Sequence, residues 1–288
     1  MAGAALRVDA GCGWRLGLIE REQRLVFGEV AELYHQHRPG YPDAVFEEVM
    51  AFAHLERGAR VLEVGAGTGK ATGALLGRGL VVTALEPSPE MAAVARREVG
   101  GASGAEVVEQ SFEDWDPAGA RFDALLAAQS WHWVAPDVGY PKAARILRPQ
   151  GTMALLWNRP AMEPGPVRSE IDRVYRRLVP GLAAGPPGER QVDRRPELEN
   201  SGHFGPVTVR EFGWDLEYSP SDYRSLLLTQ SDHRMLAPDL RERLLTAIEE
   251  VIERSGSPYR VGYRTVVYLG RLRPDPGSEA EPRLPRHR

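Results

Sequence analysis

A glycine-rich loop lies between a strand-like run and a helix-like run, and this feature constrains the fold more than any other. Arg60–Val64 is predicted to be a buried strand, Gly65, Gly67 and Gly69 follow at alternate positions, and a helix is expected over about residues 70–76. Glycines let the backbone turn sharply and let a ligand approach without a Cβ in the way. The N-terminus of the next helix adds free N–H groups. Because of this context, we expect a nucleotide-type ligand rather than a purely structural turn.

Strand-like and helix-like segments alternate along the first half of the chain. Further apolar strands are predicted at about 80–85, 106–109, 122–127 and 152–157, and Ser88 followed by Pro89 is a typical helix start. Near-continuous apolar strands separated by helices are typical of a parallel sheet covered on both faces. We therefore expect an α/β fold with a doubly wound sheet. Two later strands are predicted within 207–214 and 263–269, and a strong helix within 240–252.

Composition narrows the classes of function. The chain has 288 residues, a net charge of −4 and one cysteine, Cys12. This charge gives no general attraction to nucleic acid or to an anionic membrane. A lone cysteine excludes an intramolecular disulfide and a thiolate zinc site, and we expect no bound metal and a cytoplasmic location. The expected partner is a small molecule, and the protein is expected to be a monomer or a homodimer.

Two carboxylates near the glycine loop indicate which ligand it binds. Glu86 ends the second strand, 21 residues after Gly65, where an acidic side chain accepts hydrogen bonds from ribose hydroxyls. The alternative is a solvated carboxylate before a helix. Glu63 lies two positions before Gly65, and a carboxylate there suits a cationic amino group but would repel a pyrophosphate. Together with the Gly-x-Gly-x-Gly spacing, Glu63 favours S-adenosylmethionine over NAD.

Four segments of the chain match the motifs of a known family: 61–69 (VLEVGAGTG), 84–91 (ALEPSPEM), 122–133 (FDALLAAQSWHW) and 146–151 (ILRPQG). Through them the chain resembles the class I (Rossmann-like) methyltransferases. The N-terminal run Tyr34–Pro42 is similar to the methyltransferase type 11 subgroup, which includes trans-aconitate methyltransferase-like proteins. The resemblance covers residues 25–157 specifically and 205–270 more loosely. It implies a mostly parallel seven-stranded sheet with an antiparallel edge hairpin and a helical and loop insertion after strand five.

The resemblance implies S-adenosyl-L-methionine as the cofactor and assigns its binding to residues at the matching positions. Gln129 ends strand four, where cofactor and acceptor would meet. Tyr34 and Arg38 are further candidates for the cofactor, and Arg38 and Tyr41 would close its pocket as part of a segment over 34–41 that folds over it. The alternative for this segment is a Pro/Tyr packing motif at the start of a helix. The remaining assignments are Glu63, Gly65, Ala66, Gly67, Thr68 and Gly69 for the methionine part, Glu86 and Pro87 for the ribose, and Met91, Ser111 and Phe112 for the adenine. For Phe112, a place in the core is an equal alternative to stacking on the base.

The cluster Trp131-His132-Trp133 is the candidate acceptor site. Aromatic side chains often line small-molecule pockets and favour a sulfonium cation, although both tryptophans could instead be packing residues. Tyr41 is a further candidate for the substrate pocket, and His132 is a candidate general base. We expect the acceptor pocket between the 129–133 loop and an insertion over 159 to about 223. Methyl transfer mainly requires alignment of two reactants, so no catalytic triad is needed.

The predicted organisation is a flexible extension over 1–24, a cofactor-binding core over 25–158, an insertion or cap over 159–223, a C-terminal helix and edge strand over 224–272, and a disordered tail over 273–288. Two other classes of function stay open. One is an NAD-dependent oxidoreductase, which the glycine spacing and Glu63 disfavour. The other is a non-catalytic subunit that retains the cofactor-binding fold.

Overall fold

The computed structural model describes residues 30–161, 163–182, 192–256 and 258–274. The predicted N-terminal extension, Cys12 and the tail from residue 275 onward lie outside the described residues. Part of the long connection after strand five, residues 183–191, also lies outside them. No helix in the described ranges combines the length and the apolar character needed to cross a membrane.

Strands and helices alternate along the described chain as the sequence predicts. The strands are β1 (Arg60–Val64), β2 (Val81–Leu85), β3 (Ala105–Val108), β4 (Phe122–Ala128), β5 (Leu147–Pro160), β6 (Thr208–Tyr218) and β7 (Tyr259–Arg271). The helices are α1 (Ala31–His37), α2 (Asp43–Ala53), α3 (Lys70–Gly77), α4 (Pro89–Val99), α5 (Pro136–Ile146), α6 (Pro166–Leu178), α7 (Arg195–Asn200), α8 (Pro220–Leu228), α9 (Ser231–Arg234) and α10 (Pro238–Ser255). The side chain of Ser88 accepts a hydrogen bond from the backbone N–H of Met91 and caps α4 as expected.

These strands form one sheet in the order β3-β2-β1-β4-β5-β7-β6. β1 to β5 are parallel, whereas β7 runs antiparallel between β5 and β6. The predicted doubly wound, mostly parallel seven-stranded sheet is therefore confirmed, with an antiparallel pair at one edge. This pair is joined by α8, α9 and α10 rather than by a tight turn.

The insertion after β5 is shorter than the predicted range 159–223. Its last part, Thr208–Tyr218, is the edge strand β6, which pairs with β7 along its whole length. Its first residues belong to β5, which continues as far as the pair Pro160–Tyr263. The segment between these strands carries α6 and α7. Sheet pairing between distant parts of the chain sets these limits, and local sequence patterns do not reveal it.

Three apolar cores hold the elements in place. One lies between the sheet and α5, and the second between the opposite face of the sheet and α2 and α3. The third packs α6, α8 and α10 against the ends of β6 and β7, so that these helices form a helical lobe beside the sheet. Separately, α1 packs on α4 through Ala31, Met91 and Val94. This contact places α1 over the carboxyl ends of the first strands.

Candidate functional site

A cavity of about 280 Å³ lies beyond the carboxyl ends of β1, β2, β4 and β5. The order of the strands reverses between β1 and β4, and ligands of open α/β sheets bind at such a point. Many of the predicted site residues line this cavity although they come from five separate segments. They are Tyr34, Arg38, Tyr41, Gly65, Gly67, Glu86, Pro87, Met91, Phe112, Gln129, His132 and Trp133.

The glycine loop is held against the end of β4. Gly65 has φ of 70°, and a Cβ at this position would overlap the side chain of Ser130. The hydroxyl of Ser130 in turn donates a hydrogen bond to the carbonyl of Val64. Only glycine allows this close approach, which opens the backbone of the loop to the cavity.

The carboxylate of Glu86 organises the same loop. One of its oxygens accepts a hydrogen bond from the backbone N–H of Gly67 at 2.8 Å, and the other accepts one from Ser88 N–H at 2.9 Å. Both bonds fix a buried side chain that also lines the cavity. Glu86 therefore lies at the end of β2, as predicted, and it also anchors the glycine loop.

Glu63 differs from the expectation that it faces the ligand. Side chains alternate across a strand, and that of Glu63 points to the α3 side of the sheet, where the hydroxyl of Thr72 donates to it at 2.6 Å. Its exposed fraction is 1%, and burial, opposed by this hydrogen bond, raises its pKa to about 8. It lies beneath the loop rather than among the cavity-lining residues. Ala66, Thr68 and Gly69 likewise shape the turn without lining the cavity.

The turn after β3 forms one wall of the cavity, but through different residues than predicted. Ser111 does not line it, because its hydroxyl donates to the carboxylate of Asp114 at 2.6 Å and closes the turn. Gln110 and Glu113 do line it, and Glu113 Oε2 is buried with no hydrogen-bond partner among the described residues. Phe112 is a core residue that also lines the cavity, so its predicted stacking on the base stays a prediction. The only signal for Gln110 and Glu113 was their position after a strand.

The three residues of the Trp131-His132-Trp133 cluster form one turn of 3₁₀ helix and point in different directions. Trp131 does not line the cavity; it is 1% exposed and packs against Phe112 and Tyr140, with ring centroids 5.7 and 5.3 Å away. His132 and Trp133 both line the cavity, with their rings 4.6 Å apart.

His132 lines the cavity and is exposed overall, but it is partly desolvated by its surroundings. This desolvation, together with the nearby Arg194 guanidinium, lowers the pKa of His132 to about 4. Arg194 belongs to the insertion, which therefore reaches the rim. No described residue of 159–223 lines the cavity itself. The expected acceptor pocket between this loop and the insertion is therefore not formed by the described residues, and the insertion affects the cavity only through the charge of Arg194 near His132.

The roof of the cavity comes from α1 and the residues after it. Arg38 donates from Nη2 to the carbonyl of Thr229 at 2.9 Å, and its guanidinium lies 5.2 Å from the centre of the Tyr34 ring. Its Nε is buried and has no hydrogen-bond partner in the described chain. Ser231 and Asn158 also line the cavity, and no pattern in the sequence indicated them. The roof therefore presents a cation with an unused donor.

The comparisons agree with this architecture. Residues 62–155 match a family described as "Methyltransferase domain". An uncharacterised methyltransferase of Mycobacterium bovis is 38% identical over 138 residues, which are 48% of this chain and 54% of that protein. The chain thus spans about half the length of this relative.

Two further relatives bear on the subgroup and on the fold. Trans-aconitate 2-methyltransferase of Mycobacterium tuberculosis is 35% identical over 103 residues, or 35% of this chain and 34% of that one. The structure of a putative type II methyltransferase from Anaeromyxobacter dehalogenans covers 83% of this chain and 99% of its own, at 22% identity and a TM-score of 0.57. The predicted resemblance to the class I methyltransferases is confirmed, and the trans-aconitate likeness is partial.

Proposed function

We propose that this chain, whose residues 62–155 form a methyltransferase domain of the class I (Rossmann-like) kind, is an S-adenosylmethionine-dependent methyltransferase with a small-molecule acceptor. One observation carries the proposal. A single cavity gathers an open glycine loop, a carboxylate at the end of β2 and a polar wall after β3. These groups complement, in order, the methionine part, the ribose and the adenine of that cofactor.

The residues present fit the cofactor at both of its ends. The buried, unused Nε of Arg38 suits the carboxylate of the methionine part, because a guanidinium forms charge-assisted hydrogen bonds with carboxylates. Glu86 accepts from ribose hydroxyls, and the unpartnered oxygen of Glu113 suits the exocyclic amine of adenine. When bound, the cofactor supplies a methyl group that its sulfonium activates for displacement.

The acceptor lies between Gln129, His132, Trp133 and Tyr41 in this proposal. The imidazole of His132 is uncharged at neutral pH and can accept a hydrogen bond from an acceptor hydroxyl or amine. With a pKa of about 4 it is a weak base, so its task is orientation more than proton removal. Alignment of the acceptor within a walled site supplies most of the rate.

The single cysteine and the net charge of −4 fit a small-molecule enzyme of the cytoplasm.

Calorimetric titration with S-adenosylmethionine tests the cofactor. The Glu86→Ala variant should bind about tenfold or more weakly, since a hydrogen bond to a charged group contributes about 1.5–3 kcal/mol. Glu90→Ala is the matched control, because Glu90 is an exposed carboxylate of the same segment outside the cavity. Wild-type protein that binds NADH but no S-adenosylmethionine would support the oxidoreductase alternative instead.

Catalysis needs a separate test. Incubation with methyl-labelled cofactor and a panel of small acids, phenols and amines should give a labelled product. Cofactor binding without any product across the panel would favour the non-catalytic subunit. Loss of product in a folded Trp133→Ala variant with unchanged cofactor affinity would support the acceptor site.

A further inference from the structure

Lys142 is a buried cation outside the cavity. It lies on α5 and is 8% exposed. Its Nζ donates to the carbonyl of Phe112 at 2.6 Å, to that of Glu113 at 3.1 Å, and to that of Trp115. An ammonium group has three N–H donors, so these three carbonyls use its full capacity. All three belong to the turn after β3.

The residue type matches this geometry. Lys142 is one of two lysines among the 36 lysine and arginine residues of the chain. A lysine ammonium is a compact charge that can point donors at three oxygens grouped around one point, whereas a guanidinium is a planar fork. A chain that otherwise uses arginine therefore has a lysine where three carbonyls converge.

The turn that Lys142 holds, residues 110–115, forms one wall of the cavity. Gln110, Phe112 and Glu113 line the cavity, while the carbonyls of Phe112, Glu113 and Trp115 accept hydrogen bonds from Lys142 on α5. The residue just before the same helix provides a second link, because the N–H of Ala135 donates to Glu113 Oε1 at 3.3 Å. The loop 129–134, which forms a neighbouring wall and contacts the turn through Trp131 and Phe112, leads directly into α5. One helix thus connects both walls.

We propose that Lys142 is a positioning residue of the cofactor site, which sets the place of the 110–115 turn relative to the 129–134 loop and so determines the affinity for the purine end of the cofactor. The inference rests on the proposed function, since it assumes that the 110–115 wall contacts adenine. Lys142 itself does not contact the ligand in this proposal. It fixes the backbone carbonyls of the turn, and the side chains of the same turn line the cavity.

The test compares three variants. Lys142→Met removes the charge and all donors but keeps the length of the side chain. Lys142→Arg keeps the charge in a planar fork. Arg145→Met is the matched control, because Arg145 is an exposed cation of the same helix. Calorimetry with S-adenosylmethionine and with 5′-methylthioadenosine, which lacks the amino-acid part, measures affinity, and hydrogen exchange of residues 110–115 in the unliganded proteins measures the hold on the turn.

We expect Lys142→Met to bind both ligands roughly tenfold or more weakly, because three carbonyls lose their donor and no longer hold the 110–115 turn in place. The hydrogen-exchange rate of 110–115 should rise in Lys142→Met. Arg145→Met should match the wild type in exchange and affinity, and Lys142→Arg should lie between the wild type and Lys142→Met.

If Lys142→Met does not fold, Lys142→Arg decides by the same measurements. A lower melting temperature with unchanged dissociation constants would show a merely structural lysine and overturn the proposal. Unchanged exchange in the empty proteins would also overturn it, whereas a wild type that binds neither ligand would instead contradict the proposed function.

Discussion

At the scale of single residues, neighbours in the sequence have opposite environments. Trp131 and Trp133 are two positions apart, yet one is packed between core rings and the other borders the cavity. Lys142 is hidden on a helix whose Arg145 is exposed. Direction of the side chain, more than residue type, separates the residues that hold the site from those that can touch a ligand.

Because the two tryptophans have different environments, we predict that replacing Trp131 affects stability and that replacing Trp133 affects activity. Trp131→Ala should lower the free energy of unfolding by about 3–5 kcal/mol, because it leaves a large cavity in the core. Trp133→Ala should lower it by less than about 1 kcal/mol and reduce methyl transfer instead. Urea unfolding of both variants, followed by product assay of the folded ones, checks this. Equal destabilisation by the two changes would contradict the assignment.

The raised pKa of Glu63 predicts that the free energy of unfolding depends on pH. Its pKa is about 8 in the folded protein against 4.5 as its ordinary value, mainly because it is buried, with a further rise from the charge of Glu86. The folded state therefore holds a proton that the unfolded chain releases. This contribution to stability is fully present below pH 4.5 and is lost as the pH rises through about 8, by up to about 1.4 kcal/mol per pH unit.

Glu63→Gln cannot titrate and keeps an oxygen for the hydroxyl of Thr72. Its free energy of unfolding relative to the wild type should therefore increase from pH 5 to pH 9. Urea unfolding at pH 5, 7 and 9 measures this difference. A difference that does not change with pH would mean that Glu63 is ionised in the folded protein throughout.

At the scale of elements, α1 behaves as a roof held at two sides. On the side of α4, Glu32 pairs with Arg97 and His35 with Glu98. On the side of α8, Arg38 donates to a carbonyl just after the helix. Most of these ion pairs and hydrogen bonds are partly exposed and therefore weak. The position of α1 should therefore be sensitive to a ligand bound in the cavity beneath it.

We predict that S-adenosylmethionine slows hydrogen exchange in α1 through the following residues to Tyr41, because the ligand would engage Arg38 from below. Arg38→Gln should bind the cofactor more weakly and show little slowing in this segment. Hydrogen exchange with and without cofactor, read by mass spectrometry, makes the comparison. An exchange rate in α1 that is the same with and without saturating cofactor would rule out a roof that closes on the ligand.

At the scale of the whole molecule, the cavity is lined by residues from Tyr34 to Ser231, so a bound ligand would connect segments that are far apart in the sequence. Such a ligand should stabilise the folded state as a unit. At a concentration one hundred times the dissociation constant, the gain is about 2.7 kcal/mol. For a chain of this size that corresponds to a rise in melting temperature of roughly 5–10 °C. Thermal unfolding with S-adenosylmethionine should show this rise, and NADH at the same concentration should not.

The sequence by itself determined the parallel sheet, the glycine loop and the place of Glu86. These features depend on patterns within a few residues: apolar runs, glycines that allow a sharp turn, and a cap such as Ser88. Their outcome is local, so the sequence contains it. The end of β6 and the length of β5 were less accessible, because pairing with β7 decides them.

Only the tertiary structure decided which side chains face the cavity. It turned Glu63 towards Thr72, buried Trp131, and brought Asn158 and Ser231 to the lining from distant parts of the chain. It also made Lys142 the partner of three carbonyls about 30 residues earlier in the chain. These arrangements follow from packing between elements far apart in sequence, and the free energy of such contacts exists only once the whole sheet and its helices have assembled.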